Sequence, residues 1–378
     1  MKLKHSLLVS ALAGIMIAPV AMAEDVMKVY GQVNISIDTT SVSGNGLTAG
    51  QKSGKDAFIG RNKGTDFRSN ASRIGLMGAL DTNMGDAKLK YVAELEYTTV
   101  GDAGNNVTDQ IYGREATVGL DSKKFGFLRL GRLTPMYKAN YAAIDPWTDH
   151  VLQARQGGQQ GAASLNANYF NNAIEYRSPS FNGIQFSGFY SIMHDDTNKR
   201  MHNAGVLARY KGGSASGLGL KYKKGGLTLA ADMINIDADK TVSSDPTRGG
   251  LANFGQDGQV KNGSSVKGTV EYKFERGLTL AGHYEDATGM NQGKNIFAVA
   301  GYTFGNTLVT ASYGLNQGDD KSVYGKKDAT TLGVGVKYKM NKYASLIAGY
   351  STHGRDTNTG LSREANTFTV GIDSKFGY

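Results

Sequence analysis

The side chains able to do chemistry in this sequence are numerous but do not assemble into a reaction centre. His150, His194, His202, His283 and His353 are scattered over loops and strands without the spacing of metal ligands, and of these only His283 is expected on an inward face, near Glu285. There is no G-x-S-x-G nucleophile elbow and no phosphate-cradling G-x-x-x-x-G-K. Cysteine is absent, which removes disulfides and thiol-bound metals. Catalysis, a cofactor and a bound metal are therefore not expected. The charges fall instead into rows, because polar residues alternate with apolar ones. Val266, Gly268, Val270, Tyr272 and Phe274 interleave with Lys267, Thr269, Glu271 and Lys273. Leu332, Val334, Val336, Tyr338 and Met340 interleave with Thr331, Gly333, Gly335, Lys337 and Lys339. Near the segment ends the polar parity gathers Arg177, Lys221, Lys223, Lys273, Lys337 and Lys339, opposed only by Glu175 and Glu271. The chemistry open to such rows is electrostatic, a positive mouth that concentrates anions at low salt.

Alternation with period two requires strands, since successive side chains point to opposite faces. Sixteen candidate strands are expected at 28–38, 72–80, 86–98, 111–121, 125–133, 168–177, 183–193, 216–223, 227–237, 265–275, 278–287, 294–304, 307–316, 329–340, 344–353 and 365–378. Tight polar turns such as 224–226, 305–306 and 341–342 alternate with long Gly/Asn/Asp-rich loops such as 39–71, 134–167, 194–215 and 238–264. An even number of strands with short turns at one end and long loops at the other is the pattern of an all-β transmembrane antiparallel barrel. In the last strand Phe368, Val370, Ile372, Phe376 and Tyr378 share one face, opposite Thr367, Thr369, Asp373 and Lys375. Tyrosines on the apolar parity cluster at both rims: Tyr176, Tyr222, Tyr272, Tyr302 and Tyr338 near the short turns, and Tyr97, Tyr190, Tyr284, Tyr313 and Tyr350 near the long loops. Two such girdles suit a ring with its body in lipid and its hydroxyl among headgroups. The chain has 51 glycines, 20 tyrosines and only 5 prolines, a composition of strands and tight turns.

Residues 1–23 carry Lys2 and Lys4, an apolar run from Leu7 to Val20, and Ala21-Met22-Ala23, which reads as a secretory signal followed by a barrel domain at 24–378. The formal charge is +9, or +7 without Lys2 and Lys4. The excess is spread along strands rather than clustered with aromatic platforms, so nucleic acid is not an expected partner.

Lys28-Val29-Tyr30-Gly31-Gln32-Val33, Ser72-Arg73-Ile74-Gly75-Leu76, Glu115-Ala116-Thr117-Val118-Gly119-Leu120, Leu130-Gly131-Arg132, Tyr176-Arg177-Ser178-Pro179 and Phe376-Gly377-Tyr378 together resemble strands of the general trimeric porins of Gram-negative bacteria. The resemblance implies a sixteen-stranded homotrimeric barrel in the outer membrane, in contact with lipid and lipopolysaccharide. It also implies passive diffusion of ions and small hydrophilic solutes, with the third long loop, 134–167, folded into the lumen. On that loop Asp145 and Asp149 flank Pro146-Trp147, and carboxylates there, facing a basic wall, would set a transverse field. Arg73 is on the inward parity and matches a wall arginine of the family. Arg132 matches another, although strict alternation from Leu128 and Leu130 points it outward unless a bulge or the strand end re-aims it. Lys90 is a weaker candidate, because Glu94 and Glu96 share its face. Two departures are Tyr378 in place of the usual terminal phenylalanine, and Asn166-Ala167-Asn168-Tyr169, which lacks an arginine many relatives carry there. The alternative is a barrel that serves mainly as a surface adhesin or structural protein, with 39–71 and 238–264 as contact surfaces.

Overall fold

The computed structural model describes residues 26–44, 55–56, 61–97, 111–154, 169–192, 210–211, 213–237, 240–241, 262–290, 293–318, 328–356 and 362–377. The leading segment, residues 45–54 and 57–60 of loop 39–71, most of loop 238–264, and the second part of loop 134–167 lie outside the described residues.

The alternating segments form strands β1 (Val26–Gly44), β2 in two halves (Gly64–Ser69 and Arg73–Asp81), β3 (Lys88–Tyr97), β4 (Ile111–Ser122) and β5 (Gly126–Leu133). A short helix α1 (Met136–Ala142) follows, then β6 (Phe170–Arg177), β7 (Ile184–Ile192), β8 (Ser214–Lys224), β9 (Leu227–Asp237), β10 (Gly263–Lys273) and β11 (Leu278–Asp286). The chain continues through β12 (Lys294–Phe304), β13 (Thr307–Gln317), β14 (Ala329–Lys339), β15 (Ala344–Asp356) and β16 (Ser362–Phe376). Each strand pairs antiparallel with its sequence neighbours, and β1 pairs with β16 from Gly31↔Phe376 to Gly44↔Arg363. The sheet is therefore a closed barrel of sixteen strands with no free edge. The two-residue turns rest on glycine: Gly225 (φ 57°) and Gly305 (φ 54°) adopt the left-handed conformation that such hairpins require.

Burial is inverted relative to a water-soluble sheet. Leu332, Val334 and Tyr338 on the outer face are 52%, 48% and 47% exposed, while Thr331, Ser351 and Thr367 inside are 1% or less. Exposed apolar residues recur on the outer parity of strand after strand, a surface that in water would associate. In a bilayer it is the favourable contact, and the closed ladder satisfies the backbone polar groups that lipid cannot. Both tyrosine rims are present on this face, with Tyr176, Tyr272, Tyr302 and Tyr338 at one end and Tyr190, Tyr284, Tyr313 and Tyr350 at the other. Tyr97 departs from the girdle, since its hydroxyl donates to Gln32 O at 3.4 Å.

The inner wall is polar except for patches that receive residues 135–154. Tyr141, Ile144 and Ala154 pack on Ala281, Phe297 and Val299, and Trp147, Val151 and Leu152 pack near Ile347. Inward Gly335 and Gly349 make room, since a Cβ at either position would overlap the Trp147 ring or the Leu152 side chain. The Trp147 indole N–H donates to Thr310 Oγ1 at 2.7 Å. At the front of the segment α1 has no side-chain cap, and the Met136 N–H donates instead to Glu175 Oε1 at 3.0 Å.

Candidate functional site

Three irregularities in β2, β4 and β6 concentrate charge on one side of the inner wall. The two halves of β2 are separated by Asn70–Ser72, with Ala71 at φ 52°, and Arg73 opens the second half on the inward parity opposite Gln32 and Glu96. In β4 two residues, Arg114 and Glu115, stand opposite the single Glu94, so this bulge turns both side chains inward. In β6, Asn171 and Asn172 stand opposite Arg132, with Asn172 at φ 48°.

Around Asp149 the result is a shared network. Arg114 donates from Nε to Glu94 Oε1 at 2.8 Å and from Nη1 to Glu96, and its Nη2 lies 3.9 Å from Asp149 Oδ2. Arg73 donates to Gln32 Oε1 at 3.0 Å, and its Nη1 lies 3.8 Å from the same Asp149 oxygen. The Tyr30 hydroxyl donates to the other Glu94 oxygen at 2.9 Å. Asp149 is held by its neighbours: it is left-handed (φ 71°), a conformation aspartate tolerates, and its N–H donates to Gln153 Oε1 at 3.1 Å. Beside it, buried His150 meets Asn34 Nδ2 at 2.9 Å, tying the segment to β1. Burial, then the field of Lys337, brings the His150 pKa down to about 4. Its imidazole is neutral at pH 7.

Next to this network the Tyr169 ring collects cations: Arg132 at 4.8 Å, Arg114 at 5.6 Å and Lys138 at 4.4 Å from its centroid. Burial pushes the Tyr169 hydroxyl up to about 12, so the ring stays uncharged. Arg132 keeps the outward register of Ala116, as strict alternation requires, but its guanidinium turns back at the strand end. It donates to Arg114 O and Asn171 Oδ1, each at 2.7 Å, and has no carboxylate within ion-pair distance among the described residues.

Other expectations need correction. Asp145 is not beside Arg73; it is buried, and its Oδ1 accepts the Trp147 N–H at 2.9 Å, holding the turn between α1 and Trp147. Lys90 does not pair with Glu94 or Glu96 but with Asp121. It stands six residues along β3 from Glu96, roughly 20 Å away at a strand rise of about 3.3 Å. His283 faces inward as expected and packs edge-on to Tyr141 at 4.3 Å, whereas Glu285 accepts from Tyr137 and Asn295. His353 also faces inward, against Thr331 at 3.0 Å. The end rows contain Arg177, Lys221, Lys223, Lys273, Lys337 and Lys339 on the inward parity, and Asp373 opposes them in addition to the expected Glu175 and Glu271. Arg177 pairs with Glu175 at 2.8 Å, Lys273 with Glu271 at 3.2 Å, and Lys337 with Asp373 at 3.7 Å. Inward Arg129 was legible on the opposite parity from Leu128 and Leu130 and was overlooked; it bridges Glu175 and Glu115. Arg114 gives no parity signal at all, because the bulge shifts it.

Comparison with known proteins agrees with the barrel fold. The sequence profile of the family described as Gram-negative porin matches residues 8–373. An outer membrane porin of Bordetella pertussis is 26% identical over 80% of this chain and 81% of its own length. A major outer membrane protein P.IA of Neisseria meningitidis is 29% identical over 95% of this chain and 97% of its own. Among solved structures, the chain is similar to an anion-selective porin from Comamonas acidovorans (TM-score 0.64, 20% identity, 93% of this chain and 100% of that one). It is also similar to OmpT of Vibrio cholerae (TM-score 0.60, 14% identity, 95% and 100%).

Proposed function

The chain belongs to the Gram-negative porin family, and on that premise we propose that Arg73, Arg114, Glu94, Glu96 and Asp149 form the charged constriction of its channel. The protein is an outer-membrane channel for passive diffusion of ions and small hydrophilic solutes, not an enzyme. One observation carries the reading of the constriction. Asp149 stands within 4 Å of guanidiniums from β2 and β4, while the residues on either side of it in sequence are seated on Ala281, Phe297, Thr310 and Ile347 of the facing wall. Residues 134–154 thus cross the lumen and narrow it at the point where cations and carboxylates meet. Beside that cluster the fixed charges set a local field that favours solutes able to align a dipole and disfavours apolar ones.

Here two guanidiniums share three carboxylates, and Arg132 with Lys138 adds positive charge around Tyr169. Near-balance at the constriction and an excess of Lys and Arg at the end rows give a weak anion preference, the property named for the Comamonas porin. Assembly as a homotrimer follows the same family reading, supported by the likeness to a trimer form of Vibrio cholerae OmpT. The outer aromatic rims would seat among lipid and lipopolysaccharide headgroups. Purified protein in a planar bilayer tests the proposal: large stepwise currents with an anion-selective zero-current potential at low salt are expected. A cation-selective sign would mean that Glu94, Glu96 and Asp149 dominate the constriction.

A further inference from the structure

Between α1 and the turn-side ends of β4 to β8 lies a cavity of about 630 Å³ with two chemically different walls. One wall is cationic and polar, formed by Arg177, Lys221 and Gln185. The other is apolar, formed by Phe127, Met136, Ala139 and Pro179. The acid in its lining, Asp121, is already engaged by Lys90. Arg177 gives its Nε and Nη2 to Glu175, at 2.9 and 2.8 Å, and Nη2 also meets Thr134 O at 3.5 Å, which leaves the Nη1 amino group to donate. Lys221, directly opposite Gln185 across the β7–β8 ladder, has no carboxylate within ion-pair distance among the described residues. The Gln185 amide donates to Ser178 O at 2.9 Å and so is held in place. The cavity therefore presents fixed donors and an ammonium held in no ion pair among the described residues to one end of a guest and hydrocarbon to the other.

We propose that this cavity is a binding subsite for small organic monocarboxylates. The carboxylate lies between Lys221 and Arg177 Nη1, and a short hydrocarbon body rests on Phe127, Met136 and Pro179. An inorganic anion satisfies only half of such a site. The subsite rests on the channel reading, because its guests arrive through the lumen, but its defining property is different. A positive vestibule accumulates all anions without saturation, whereas a built site saturates and ranks anions by their apolar part. Each methylene removed from water changes affinity by about fourfold, so butyrate should half-saturate at up to about 15-fold lower concentration than acetate.

The test is chloride conductance of the purified full-length protein in a planar bilayer at constant ionic strength, titrated with formate, acetate or butyrate. A saturable fall in current is expected, in the order butyrate, acetate, formate. It should be lost in Lys221→Met and kept in Lys342→Met, which removes an exposed turn lysine that does not line the cavity. Open channels with a linear response, or equal half-saturation for acetate and butyrate, would overturn the subsite and leave the channel reading intact. Absence of channels would instead defeat the channel reading. In that case saturation-transfer NMR of the folded protein in micelles with butyrate still decides the subsite, and no transfer above that in Lys221→Met overturns it.

Discussion

At the residue scale the constriction is a sharing problem. The Arg114 guanidinium contacts Glu94, Glu96 and Asp149, and Arg73 reaches Glu94 and Asp149 from the other side, so deleting any member shifts the local charge by one and leaves partners unmatched. Asp149→Asn should move the zero-current potential toward anions, and Arg114→Gln should move it toward cations. The sizes will differ. Asp149 meets the two guanidiniums at 3.8 and 3.9 Å, whereas Arg114 is the hub, and removing it leaves two half-buried glutamates side by side on β3. Breaking such a pair costs on the order of 3 kcal/mol, so Arg114→Gln should also lower the denaturation midpoint measured by heat-modified gel mobility. Opposite signs for the two variants are the required result; a common sign would mean that neither residue faces the ion path. Asp145→Asn should leave selectivity nearly unchanged, because that carboxylate serves a turn.

At the element scale the decisive question is what seats residues 135–154 against the wall. Trp147 is 1% exposed, sits over Gly335 and donates to Thr310. Trp147→Ala should cost about 3–5 kcal/mol of seating, and the current through single channels should become larger and noisier. His150 adds a pH dependence. Its pKa falls from the ordinary 6.5 to about 4 on folding, so the folded form disfavours the proton. The seating is at full strength above about pH 6.5 and weakens as pH falls toward 4. Current noise should rise over that window in the wild type, and His150→Gln, which cannot titrate, should flatten the change. The element scale also shows what sequence reading captures. Strands and faces were legible because alternation is a period that survives without tertiary help, as the Leu332–Met340 and Val266–Phe274 sets show. The bulge at Arg114–Glu115 was not, since it uses ordinary residues and changes parity only through the register of a neighbouring strand. The docking site of the loop left a partial trace. In Ile296-Phe297-Ala298-Val299-Ala300 both parities are apolar, and inward Gly333 and Gly335 leave space on β14, which together mark where something packs inside.

At the scale of the whole molecule the lumen is lined by charges in water, and their influence fades with salt. With a Debye length of about 10 Å at 0.1 M, falling to about 3 Å at 1 M, the end rows of Lys and Arg act on passing ions only in dilute solution. The anion preference should therefore be largest below 0.1 M and decline steeply toward 1 M, whereas the effect of Asp149→Asn, acting across contact distances, should persist. Zero-current potentials measured over a series of salt concentrations with a fixed gradient ratio separate the two contributions. A preference that is flat across the series would assign all selectivity to the constriction.

The pairing of β1 with β16 from Gly31↔Phe376 to Gly44↔Arg363 joins the two ends of the chain along one seam. That seam cannot form until the last strand has been made, so nearly the whole polypeptide must wait with two raw edges and a lipid-seeking face. Contacts of such long sequence separation are slow to form, and unpaired edges recruit one another. The folding problem is thus one of custody in the periplasm: something must shield the chain until closure, and the membrane must receive it nearly complete. A chain shortened by β16 should accumulate as aggregate or protease fragments rather than as a fifteen-stranded barrel. Pulse-chase labelling with extracellular protease would reveal the difference.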